Sequence, residues 1–180
     1  MSVHTVDERS KSCLSNFHIL KTPIIYDQKE YITSEHLYQS LRYLRSNKPI
    51  DLEYAEMIRK ASTPTGAKLL GNQVIIDCGS AWKMDTAKVI RSMQSRGLSK
   101  VYRDKQAIEC MKIAVTEKIQ QNEECLKELL ALSKEREIVY EGDEYWGISY
   151  RIVSGSGPNA WREYGGFNHL GKILTQIRNN

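Results

Sequence analysis

The sequence predicts a mainly α-helical fold with a small β-sheet. Apolar residues recur at helical spacing through most of the chain, and β-branched or aromatic runs are few and short. No internal repeat, low-complexity tract or long linker divides the chain. A length of 180 residues suits a single compact domain over 1–180, able to bury roughly 70% of the surface its unfolded form exposes. Residues 1–11 read as a loosely ordered N-terminus.

Each element has a local reason. Ser34 is placed to cap a helix whose apolar stripe is Leu37, Leu41 and Leu44, while Glu35, Gln39 and Arg42 share another face at i, i+4 and i+7. Asp51 opens a second helix to about Ala61, with Leu52, Ala55 and Ile58 inward. Pro64 suits the first position of a short helix ending at Gly71. Asp85 caps a helix that Gly97 ends. Asp104 to Gln121 carries Ile108, Met111, Val115 and Ile119 on one side, and Asn122 begins another helix with Leu126, Leu129 and Leu130 inward. Asn168 caps the last helix.

Strands are expected at Ile19 to Tyr26, Tyr31 to Thr33, Glu137 to Tyr140 and Gly147 to Val153, the last two as a hairpin around Glu141-Gly142-Asp143. Residues 154–166, with Gly155, Gly157, Pro158, Gly165 and Gly166, read as a flexible glycine-rich loop of the kind that often carries binding function.

Composition narrows the function. With 41% hydrophobic and 27% charged residues the chain is ordinary for a globular protein, and no stretch is long and apolar enough to span a bilayer. The N-terminus lacks the apolar core of a secretory signal, so a cytoplasmic location and no membrane partner are expected. Cysteines at 13, 78, 110 and 125 share no ligand spacing and read as reduced thiols without a metal. The net charge of +4 favours phosphate-bearing partners, but Lys and Arg are scattered among 22 acids, which disfavours a helical nucleic-acid-binding protein. Neither a phosphate-binding P-loop nor a dinucleotide glycine fingerprint is present, so no redox nucleotide or other cofactor is expected.

One cluster points to chemistry. Asp143-Glu144-Tyr145-Trp146-Gly147 joins carboxylates to a broad aromatic face, and Asn168-His169-Leu170-Gly171 opens an amphipathic helix that ends near Arg178. A carboxylate beside an indole suits a ligand made of a sugar and a base, because the acid acts on the glycosidic bond while the ring stacks on the heterocycle. Upstream stand Leu14-Ser15-Asn16-Phe17, Ser34-Glu35-His36-Leu37-Tyr38-Gln39-Ser40, Thr63-Pro64-Thr65-Gly66-Ala67-Lys68-Leu69-Leu70-Gly71 and Lys118-Ile119-Gln120-Gln121-Asn122. In this order, from about Ser12 to Arg178, these words resemble the YbiA-like, or NADAR, family of N-glycosidases.

The resemblance implies a helical YbiA-like domain and site residues. Glu35 matches the Glu of the family's small-Glu-His-aromatic-Gln word and Asp143 the Asp before its aromatic-Trp-Gly, the carboxylates expected to stabilise an oxocarbenium-like state or protonate the base. Lys68 matches the family's Ala-Lys word, where a lysine either neutralises phosphate or attacks the anomeric carbon as a Schiff-base nucleophile. Lys118 ranks below it. Trp82 and Trp146 match aromatic positions that can wall a base slot, with Gly147 beside the second, and Asn16 matches a residue that can hold ribose hydroxyls. Asn168 and Gly171 offer helix N-terminal amides to a phosphate and Arg178 a charge, although a cap, a close packing site and a cation on the helix dipole explain them too.

The chain departs from the family pattern at Lys118-Ile119, at Ser149, and in the stretch from Tyr150 to Phe167 that holds Trp161, Arg162 and Tyr164. The family's substrates are of two classes, ADP-ribose attached to guanine in nucleotides, DNA or RNA, and ribosylamino-pyrimidine phosphate intermediates of riboflavin synthesis. The basic isoelectric point and the Trp161-Arg162-Tyr164 segment favour ADP-ribosylguanine. A non-catalytic sensor of ADP-ribose or nucleotides is the alternative of another class.

Overall fold

A computed structural model describes residues 4–7, 11–74, 81–100, 105–142, 144–154 and 161–180. The chain divides into two compact units, Ile19–Gln121 and a terminal unit made of Met1–His18 with Asn122–Asn180. Among the described residues no helix is long and apolar enough to cross a membrane.

The terminal unit begins with β1 (His4–Asp7), and the central unit with β2 (Ile24–Tyr26) and β3 (Lys29–Tyr31). β2 and β3 form a tight antiparallel hairpin whose two loop residues, Asp27 and Gln28, have φ of 49° and 60°. Positive φ at both loop positions twists a hairpin with the hand its strands prefer. β2 is shorter than expected, because Pro23 cannot donate to a ladder, and β3 is displaced toward the N-terminus from the expected Tyr31 to Thr33 because the tight turn at Asp27 and Gln28 brings Lys29 into the pairing.

Helix α1 (Ser34–Leu44) follows, capped by Thr33 rather than Ser34: the Thr33 hydroxyl accepts from His36 N, which places Ser34 inside the first turn. It packs against α2 (Pro49–Arg59), α3 (Pro64–Gly71) and α5 (Lys105–Gln121), as well as β2 and β3. A helix so enclosed is buried beyond one stripe, and Ser34 through Leu41 are all buried. Asp51 does not open α2, which starts at Pro49; it lies in the first turn, where Oδ1 accepts from Ser99 N at 2.9 Å and Oδ2 from the Ser46 hydroxyl. Burial pushes its carboxyl up, but these hydrogen bonds outweigh burial and hold it below the usual range. Leu52 is exposed, and the buried face of α2 is Asp51, Tyr54, Ala55 and Ile58.

Thr63 caps α3 by accepting from Gly66 N, and Pro64 follows at the first helical position. Helix α4 (Ala81–Ser95) starts before Asp85, which is therefore interior rather than a cap; Gly97, at φ 91°, lies just past its end. The core here gathers Tyr43, Tyr54, Ala55, Ile58, Ala67, Ile90, Met93 and Leu98. Tyr43 and Tyr54 meet edge to face at 4.9 Å, and their hydroxyls donate to Gly71 O and Leu70 O, both at 2.8 Å. The two buried phenols thereby donate to carbonyls of the last turn of α3, adding to Gln73 N on Leu70 O and Arg42 Nη1 on Gly71 O.

In the terminal unit, α6 (Glu123–Ala131) leads to β4 (Ile138–Glu141), β5 (Ser149–Ser154), β6 (Trp161–Gly165) and α7 (His169–Asn179). The expected hairpin of the Glu137 and Gly147 runs is not formed. β4 pairs in parallel with β1, from His4 opposite Ile138 to Asp7 opposite Glu141, and β5 pairs with β6. The N-terminus expected to be loose thus contains a strand, for which the β-branched pair Thr5-Val6 is suited. Likewise β6 occupies part of the expected 154–166 loop. Cys125 and Leu129 form the buried stripe of α6, whereas Leu126 and Leu130, expected inward, are exposed. Cys13 and Cys125, expected as reduced thiols, form a disulfide with Cα atoms 5.1 Å apart; Cys110 is buried and takes part in no disulfide.

Candidate functional site

The central unit organises Glu35. The residue is 4% exposed, and its Oε1 accepts from Gln39 Nε2 at 2.7 Å. Gln39 Oε1 in turn accepts from Arg42 Nη1 at 2.6 Å, so the i, i+4, i+7 face expected from the sequence is a continuous polar chain. Arg42 also donates to Asn72 Oδ1 at 2.9 Å, and Asn72 Nδ2 donates to Lys68 O at 2.9 Å. The end of α3, with Lys68 on its last turn, is thereby tied to the Glu35 face of α1. A charge at the far end orients the glutamine, and the glutamine orients the buried acid.

His36 points elsewhere. Its Nδ1 lies 2.8 Å from Thr33 Oγ1 and its Nε2 3.0 Å from Ala61 O. A carbonyl only accepts, so Nε2 carries the proton and Nδ1 accepts from the threonine hydroxyl. Burial lowers the pKa of this imidazole below its ordinary value.

Lys68 is half-buried on α3. Lys118 is fully buried on α5, a helix that packs on α1. Its burial is the feature that sequence reasoning undervalued, although the signal was present: Lys118 continues the Met111 and Val115 stripe at i+7, where an apolar residue is usual. A lysine is seldom fully buried without a role for its charge. Beside it, the side-chain amide of Gln121 clasps β2, accepting from Ile25 N at 2.7 Å and donating to Ile25 O at 3.0 Å.

The terminal unit organises the aromatic residues. Ser15 and Asn16 are 0% and 2% exposed, in a turn where Ser15 Oγ accepts from Phe17 N at 3.2 Å. Trp146 is 7% exposed and meets Tyr145 edge-on at 4.8 Å. Tyr145 also touches His169 at 4.9 Å, and the Phe167 ring lies parallel to His169 at 5.4 Å. Phe167 is 61% exposed, so the accessible aromatic face of this cluster is Phe167 rather than Trp146. Tyr145, Phe167 and His169 were missed as site candidates; their signal is the clustering of rings on both sides of Gly147 and Asn168 in sequence.

Three backbone hydrogen bonds stitch the two motif segments together: Phe167 N to Glu144 O at 2.8 Å, Asn168 N to Gly147 O at 3.0 Å, and Leu170 N to Trp146 O at 2.9 Å. Asn168 adopts φ 50°, does not cap with its side chain, and instead accepts from Tyr140 N and donates to Ile138 O, both at 3.0 Å. Gly147 and Gly171 are close-packing positions, since a Cβ would stand 2.1 Å from Tyr140 O at the first and 2.2 Å from Ile138 O at the second. Arg178, 3% exposed, donates to Ser133 O, Arg136 O and Lys134 O. The expected phosphate donors at Asn168 and Arg178 are thus engaged within the unit. Asp143 lies outside the described residues, as do the side chains of Trp82, Trp161, Arg162 and Tyr164.

Residues 4–180 match the NADAR domain family. The solution structure of the Escherichia coli protein YbiA is similar to this chain, with 26% identity, 99% of this chain and 85% of that one covered, and a TM-score of 0.56. Comparison with curated proteins found no match. The mainly helical architecture with small two-stranded sheets is YbiA-like, and the chain belongs to the NADAR domain family.

Proposed function

We propose that the protein removes ADP-ribose from guanine by hydrolysing the N-glycosidic bond. NADAR membership implies an N-glycosidase acting on ribose-base compounds. The observation that carries the reading is Glu35, a carboxylate buried on α1 and oriented by Gln39 and Arg42. An acid held in one position away from bulk water suits a reaction whose transition state concentrates positive charge on a sugar.

In this hydrolysis the bond from the anomeric carbon to the base nitrogen breaks, water supplies a hydroxyl to the carbon, and a proton goes to the departing base. Glu35 stabilises the cationic sugar and takes the proton from water, or delivers one to the base. Lys68 steadies phosphate or forms the imine with the opened sugar. The resemblance adds Asp143 as a second acid, Asn16 for ribose hydroxyls and Trp146 for the base, with exposed Phe167 as a further stacking face.

The test is base release followed by mass spectrometry, with ADP-ribosylated guanine DNA and a ribosylamino-pyrimidine phosphate as separate substrates. Release of guanine-containing DNA from its ADP-ribose, lost in Glu35→Gln, supports the proposal. Turnover of the pyrimidine alone moves the protein to the other substrate class, and tight ADP-ribose binding without turnover makes it a sensor.

A further inference from the structure

We propose that Cys13, His18, Glu124 and Cys125 form a zinc site that opens when the Cys13–Cys125 disulfide is reduced. All four residues belong to the terminal unit. One ligand atom each from Cys13, His18 and Glu124 lies within 4.8 Å of the others, and Cys125 is bonded to Cys13. His18 Nε2 stands 3.7 Å from Glu124 Oε1. In a tetrahedral site with Zn–S near about 2.3 Å and Zn–N or Zn–O near about 2.1 Å, donors are roughly 3.5 Å apart, so shifts of about 1 Å bring the Cys13, His18 and Glu124 donors to that spacing, and the Cys125 sulfur joins them by moving off Cys13 once the bond between the two is broken.

The ligand set has the chemistry of zinc. Two thiolates and an imidazole are the borderline-soft donors that this ion prefers over magnesium or calcium, and a carboxylate completes a four-coordinate site. The shell is also supported from outside. Glu128, one turn along α6, accepts from Cys13 N at 2.9 Å and from the Ser12 hydroxyl at 2.5 Å. His18 N donates to Ser15 O at 3.2 Å, so the Cys13 to His18 turn presents both ligands from a hydrogen-bonded backbone. The cysteines are 112 residues apart, which is why ligand spacing in the sequence does not disclose the site.

A sulfur in a disulfide is not a thiolate ligand, so the pair has two exclusive states. A thiol reductant donates two electrons, becoming a disulfide itself, and the Cys13–Cys125 bond breaks to give two thiols. Zinc then binds both sulfurs and releases their two protons. Asn16 lies in the turn between Cys13 and His18, so the exchange acts on the backbone that positions it.

Zinc would be titrated into the full chain, reduced and oxidised, in competition with a chromogenic chelator, and cobalt would be used to read thiolate-to-metal charge transfer. The expected result is one equivalent in the reduced protein with a thiolate–cobalt band, none in the oxidised protein, and at least about tenfold weaker binding in His18→Ala. Cys13→Ser/Cys125→Ser should bind no zinc; should it fail to fold, alkylation of the reduced wild-type chain with mapping by mass spectrometry decides: zinc should protect Cys13 and Cys125 together. No binding after reduction, equal binding when oxidised, or alkylation of both cysteines undiminished by zinc overturns the proposal.

Discussion

Gly71 on α3 meets the side chain of Gln39 on α1 so closely that a Cβ at position 71 would stand 2.1 Å from Gln39 Oε1 and 2.7 Å from its Cβ. The small residue therefore sets the approach of the two helices and the rotamer of the amide that holds Glu35. Gly71→Ala should destabilise the protein by about 1–3 kcal/mol, the usual cost of overpacking, and lower activity by disturbing Glu35. Adding Gln39→Ala should recover part of the stability but none of the activity. Urea unfolding of the four members of this cycle checks it, and strictly additive effects would show that the contact does not matter.

Glu35→Gln separates chemistry from folding. The substituted amide can keep its oxygen toward Gln39 Nε2, now 2.7 Å from Glu35 Oε1, so stability should change by less than about 1 kcal/mol. Activity should fall by about a hundredfold to ten-thousandfold, the usual worth of a general acid or base. Near-normal turnover in this variant would remove Glu35 from the chemistry.

His36 makes stability depend on pH. Burial holds its folded pKa below the ordinary 6.5, so the unfolded chain takes up a proton that the folded chain resists. Its contribution is complete above 6.5 and is lost as pH falls from there through the lower folded value. The denaturant midpoint should thus drop between about pH 7 and pH 5. Because burial and Lys172 also lower the His169 pKa, the assignment rests on His36→Gln flattening this dependence.

The helical half of the fold was legible because its signals are local. The Glu35, Gln39 and Arg42 face follows from helical periodicity, and Pro64 and Gly71 bound α3 as the sequence suggests. What escaped is non-local. β4 takes its partner from the opposite end of the chain, β1, and nothing in Glu137 to Tyr140 encodes that choice over a nearby hairpin. Leu126 and Leu130 have the right chemistry for burial but the wrong side of a helix whose inner stripe is Cys125 and Leu129. Lys118 is intermediate between the two cases: the Met111 and Val115 stripe points to it in the sequence, and only packing shows that its burial is complete.

Asn168 joins backbone conformation to hydrogen bonding. Its φ of 50° is tolerated by Asn better than by most side chains, and its amide satisfies Tyr140 N and Ile138 O in the buried ladder. Asn168→Ala should destabilise by about 2–4 kcal/mol, because it strains the backbone and orphans both groups. Asn168→Gly relieves the strain alone and should be less harmful by about 1 kcal/mol. Thermal unfolding compares them; equal losses would mean that the left-handed conformation contributes nothing.

Arg178 distinguishes a structural cation from a phosphate ligand. Its Nη1 donates to Ser133 O at 2.8 Å and Arg136 O at 3.0 Å, and Nη2 to Lys134 O at 3.5 Å. The guanidinium thus closes the turn that follows α6 and fastens it to the last turn of α7. Lysine keeps the charge but cannot reproduce the planar fork, so Arg178→Lys should lose about 1–3 kcal/mol of stability. KM for ADP-ribosylated guanine should stay within about twofold, because binding that makes no use of the fork is indifferent to its loss. A raised KM with unchanged unfolding would instead put this arginine on the substrate phosphate, at the expense of the turn it closes.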